Sequence, residues 1–166
     1  MAELTNLESK LGEVVGLAMA AQEAGQKVAR LARDEGNDEL VGTLERMREQ
    51  AQETEERGTA VAGSFEGKKT AILDEARDVK GKAQQMMKTY LDQAADTLDG
   101  FEFLTMAEAG EVGHWEILDT LNKRAGNRDV SELVEWALPI QQQHFATVRS
   151  ASLNLAADEN PNETAE

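Results

Sequence analysis

The chain has 166 residues, 32 acidic and 17 basic side chains, a net charge of −15, no cysteine and two prolines. The charge argues against nucleic acid and anionic membrane surfaces, whose phosphates need Lys and Arg to neutralise them. The missing cysteine excludes disulfides, thiol catalysis and cysteine-built zinc sites, and it fits a cytoplasmic protein.

A chain of this length suits a single domain, expected over 1–157, and its wealth of Ala, Leu, Glu, Gln, Lys and Met predicts an all-α fold. The first residues lack a basic segment followed by an apolar run, so no secretory signal is expected. No stretch is long and apolar enough to suggest a membrane span.

Leu4, Leu7, Leu11, Val14, Ala18, Ala21, Gly25 and Val28 form one stripe, which predicts a first helix from about Leu4 to Arg33. Asp34-Glu35-Gly36-Asn37-Asp38 then supplies a turn and an N-cap. A second helix follows with Leu40, Leu44, Met47, Ala51 and Gly58 inward, and its Glu-rich outer face reads as solvated surface. Glycines and small residues weaken the pattern from Gly58 to Gly67, the predicted linker.

Ile72, Ala76, Val79, Ala83, Met86 and Tyr90 predict a third helix from Lys68 to about Leu98, ended by a break at Asp99-Gly100. Helix four is expected from about Phe101 to Ala125 and helix five from about Val130 to Ala157. Between them Gly126 reads as a C-cap and Asp129 as an N-cap. Pro139 removes a backbone hydrogen bond inside helix five and should kink or restart it. The acidic tail, 158–166, has no apolar periodicity and is expected to be disordered.

Helices four and five also carry the candidate site. Glu111-x-x-His114 and Gln141-x-x-His144 contain the only two histidines of the chain, and both motifs fall within apolar stripes. The stripes are Leu104, Ala107, Glu111, His114, Leu118, Leu121 and Leu133, Ala137, Ile140, His144, Val148, Ala151, Leu155. Buried polar groups need partners. An antiparallel hairpin centred between Asn127 and Arg128 would set His114 level with Gln141 and Glu111 level with His144, in one layer about 5 Å deep.

The segment from Glu108 through His144 resembles the metal-bearing hairpin of ferritin-like bundles. There Glu-x-x-His on each of two helices, with a Glu from each of the other two, holds two iron or manganese ions. The resemblance implies a ferritin-like antiparallel bundle of about five helices, with helices one and two packed on four and five and helix three bridging or flanking them. It implies an iron or manganese site drawn from Glu108, Glu111, His114 and His144, with Glu55 as the contribution of helix two, and a role in metal or oxidative stress.

Gln141 stands where the family's second motif has Glu, and the first helix offers Glu13, Glu23 and Gln22 only beside its stripe. The alternative reading is a structural or interaction bundle whose buried polar layer fixes helix register without a metal. A homo-oligomer is compatible with either reading. A lipid-binding bundle that opens on apolar surfaces is a third.

Overall fold

A computed structural model describes residues 2–164, and the protein is all-α. Among these residues the helices are α1 (Asn6–Asp34), α2 (Asp38–Gly63), α3 (Lys69–Tyr90), α4 (Thr97–Ala125) and α5 (Arg128–Asp158). No helix among them is long and apolar enough to cross a membrane.

Local chemistry sets the helix ends. Thr5 and Glu8 form a reciprocal capping box that starts α1, and Gly36 takes a positive φ of 75° in the turn before α2. Asn37 caps α2 by accepting from the Leu40 amide. Left-handed Gly126 (φ 68°) ends α4, and Asn127 caps α5 through the Val130 amide. The cap of α5 is therefore Asn127 where Asp129 was expected.

Other boundaries also move. Helix α3 stops at Tyr90, well short of Leu98, and α4 begins at Thr97. Asp99-Gly100 is no break. Asp96 and Asp99 form a second capping box, and Gly100 lies buried where a Cβ would come 2.8 Å from Val28 Cγ1. Gly58 likewise lies inside α2, where a Cβ would come 2.5 Å from Val15 Cγ2, so the linker shortens to the residues between Gly63 and Lys69. Helix α5 continues through Pro139. Residues 159–164 are exposed, whereas the end of the tail, 165 and 166, lies outside the described residues.

Helix α1 is the common wall of the bundle. It packs on α2, α3 and α4, and α5 closes the ring by packing on α4 and α2. Helix α3 lies along α1 and meets α2 and α4 sparsely, so it flanks the four-helix core. The α1–α3 crossing is tight at Gly12 and Gly16, where a Cβ would come 2.7 Å from Ile72 O and 2.3 Å from Ala76 O.

The core is divided in two. One apolar cluster joins Leu11, Val14 and Val15 of α1 to Ile72, Trp115, Leu118, Leu133 and Val134. The other joins Val28 and Ala29 to Leu44, Met47, Phe101, Leu104 and Val148. Between them on α4 and α5 fall the buried polar residues Glu108, Glu111, Gln141 and His144.

Candidate functional site: a buried polar layer beside an apolar cavity

Helix α4 places Glu108 and Glu111 in the core at 3 % and 5 % exposure, and α5 adds Gln141 and His144 at 6 % and 5 %. Glu108 is the hub of this layer. Gln141 Nε2 donates to Glu108 Oε2, and His144 Nδ1 lies 3.8 Å from the same oxygen. The other imidazole nitrogen, Nε2, is 2.7 Å from Gln50 Oε1 on α2. A proton on Nε2 satisfies the Gln50 carbonyl and leaves Nδ1 facing Glu108 unprotonated. Three helices thus meet through four side chains.

The pairing differs from the expected one. His144 faces Glu108, one turn earlier on α4 than Glu111, and Gln141 bonds Glu108 where His114 was expected. Steps of three residues explain this, because each falls about 60° short of a full helical turn. From Glu108 to His114 the side chains therefore rotate away from α5 and towards α1. His114 Nδ1 reaches Glu13 Oε2 at 3.1 Å and Lys10 Nζ at 3.3 Å, and its side chain is 38 % exposed.

Glu55 also stands apart. It lies five residues beyond Gln50, about 140° round the helix, and accepts from Gln22 Nε2. The five candidate ligands therefore do not converge as one set, and Glu108, Glu55, His114 and His144 each have an oxygen or nitrogen engaged by a protein partner. Among the described residues, no group of three or more His, Asp or Glu side chains is placed to hold a metal ion.

Burial sets the electrostatics. It raises the Glu108 carboxyl to about 7, against the lowering effect of the Gln141 hydrogen bond. Glu111 is pushed well above the usual carboxylate range by burial and by the neighbouring Glu108. His144 is driven down to about 4 by desolvation. Burial thus shifts each titratable group of the layer towards its uncharged form.

Beside the layer is a cavity of about 200 Å³ bounded by α1, α3 and α4. Leu17, Ala20, Ala21 and Ala24 form its α1 wall, and Ala83, Met86, Leu104 and Ala107 continue the apolar lining. Glu108, Glu111 and His114 supply its polar end. The space exists because small residues line three helices where α3 and α4 barely touch.

Sequence reasoning missed Gln50 and Lys10, whereas Glu13 was noted only as lying beside the stripe of α1. Gln50 follows buried Met47 by three residues but is itself exposed at the edge of α2, so no stripe position marked it. Comparison with protein-family models, curated proteins and solved structures finds no match.

Proposed function

We propose that this protein is a non-catalytic structural or interaction bundle whose polar layer fixes the mutual register of α2, α4 and α5. The observation that supports this reading is the connected set Gln50, His144, Glu108 and Gln141, in which the buried Glu108, Gln141 and His144 are tied together across α4 and α5 and His144 is held in turn by Gln50 at the exposed edge of α2. Such a set specifies one packing, because sliding a helix by one turn would bury unpaired polar groups. A cytoplasmic setting accords with the absence of cysteine.

A second reading, a degenerate ferritin-like iron or manganese site, is favoured by one feature. Glu108 and Glu111 are adjacent buried carboxyls, with an imidazole nitrogen 3.8 Å from the first. Anaerobic titration with Fe²⁺ or Mn²⁺, followed by thermal melting, separates the two. The structural reading expects no rise in melting temperature. A metal at about a hundred times its dissociation constant would add about 2.7 kcal/mol, and a gain of that size abolished by His144→Ala would overturn it.

A further inference from the structure

Glu111 is the member of the layer that the structural reading leaves unused. It is 5 % exposed, and its electrostatics include burial and repulsion from Glu108 but no hydrogen bond. Among the described residues, the wholly enclosed side-chain oxygens and nitrogens all have partners except Thr97 Oγ1. The Glu111 oxygens are therefore not sealed in the core, and the open space beside them is the cavity that Glu111 lines.

We propose that this cavity binds a small lipophilic primary amine, with the ammonium held by Glu111 and the apolar body lying along the alanines of α1. Three observations select this chemistry. The walls are predominantly Ala, Leu, Met and Phe, so the body of the ligand must be apolar. The polar end offers two neighbouring carboxyls in a chain of net charge −15, which repels a fatty acid and complements a cation. The unsatisfied Glu111 carboxyl gains a charge-assisted hydrogen bond from an N–H donor, stronger than the bond an alcohol provides.

Size narrows the class. An engineered cavity of about 150 Å³ encloses benzene, so about 200 Å³ accommodates roughly eight to ten non-hydrogen atoms. Met86 and Met106, exposed at 48 % and 42 %, belong to the lining where α3 and α4 separate. Their flexible thioether chains can follow ligands of different shape. An amine entering as the free base would take the proton of Glu111, giving ammonium and carboxylate in direct contact.

The test is calorimetric titration of the full-length, metal-free protein with octylamine, octanol and octanoate. Octylamine should bind at least about tenfold more tightly than octanol, with no binding of octanoate. Glu111→Gln should remove that preference while leaving octanol binding in place. Ala83→Leu, which adds bulk at the wall and leaves Glu111 intact, should weaken both ligands. It also serves as the test if Glu111→Gln does not fold.

Equal binding of octylamine and octanol would overturn the proposal, because the cavity would then be merely apolar. So would binding unaffected by either variant, preference for octanoate, or no binding at all. Prior loading with Mn²⁺ should not block octylamine, and competition between them would assign Glu111 to a cation site of a different kind. None of these outcomes bears on the register role of Gln50 and His144.

Discussion

His144 Nε2 on α5 meets Gln50 Oε1 on α2 at 2.7 Å, across a separation of 94 residues in the chain. Helices α2 and α5 otherwise share a small contact that includes Arg57 over the Trp136 ring at 4.2 Å, so this bond is one of the side-chain links that align them. Replacing Gln50 by Ala should destabilise the protein by about 0.5–1.5 kcal/mol, because it removes the acceptor of the imidazole N–H at an exposed edge of α2 where water can take its place. In a double-mutant cycle with His144→Ala, the coupling should be about 0.5–3 kcal/mol. Denaturant melts of the four proteins measure it, and strict additivity would remove His144–Gln50 as a register contact.

The pH dependence follows from three buried groups. Glu108 and Glu111 have raised values, so their contribution is complete below the ordinary 4.5 and is lost as pH rises, through about 7 for Glu108 and well above the ordinary carboxylate range for Glu111. His144 is lowered from 6.5 to about 4, so its contribution is present above 6.5 and lost as pH falls through about 4. Of the facing groups, Gln50 and Gln141 are uncharged, Arg48 of α2 lines a small cavity together with Glu108 and His144, and on the α1 side stand Lys10 and Glu13 beside His114. Melting temperature should therefore fall between pH 5 and pH 8, and Glu111→Gln should flatten that fall. A variant whose melting curve runs parallel to the wild type across this range would contradict the assignment.

Gly16→Ala should destabilise by about 1–3 kcal/mol, since the new methyl would meet backbone rather than a side chain that can swing away. A Cβ at Gly113 meets nothing within 4 Å, and there Ala should stabilise by about 0.5–1 kcal/mol through helix propensity alone. Chemical denaturation of both variants gives the comparison. Equal effects would show that the α1–α3 crossing relaxes more readily than its geometry indicates.

Thr97 opens α4 at 1 % exposure. Its amide donates to Glu35 Oε1 at 2.9 Å, whereas its hydroxyl has no partner. Thr97→Val keeps the shape and the amide bond and removes the orphaned oxygen, so it should stabilise the fold by about 1 kcal/mol. In a chain this size that is a rise of roughly 2–4 °C, measurable by calorimetry. A fall in melting temperature would mean that the hydroxyl is satisfied in solution.

The helices were legible from their apolar stripes, and α1, α2, α4 and α5 also from punctuation such as Gly36-Asn37 and Gly126-Asn127, whereas α3 has no capping side chain and its end was misplaced. Helix α4 began earlier than expected because Asp and Gly are turn residues by habit. Asp99 acts instead as the return half of a capping box, and Gly100 makes room for Val28, a fact of tertiary packing that no local pattern encodes. The polar layer was legible as buried chemistry on α4 and α5, yet its pairing was not. A stripe read in steps of three hides the rotation that carries His114 to the α1 side. Gln50 lay beyond reach because nothing in the sequence states which face of α2 approaches α5.

The glycine crossing has a mechanical consequence. Helix α3 is clamped to α1 near Ile72 and Ala76, backbone against backbone, and beyond that clamp its buried residue is Met87 alone. Further along, α3 is held to α1 by Lys80 and Gln84 on Glu23 and meets α4 through Tyr90 beside Phe103. Bending of this half would cost little packing against α4, and the same bending would widen or narrow the space above the alanines of α1. Stiffness near Ile72 and Ala76, where Gly12 and Gly16 of α1 press close, and compliance at Met86 are thus two properties of one helix.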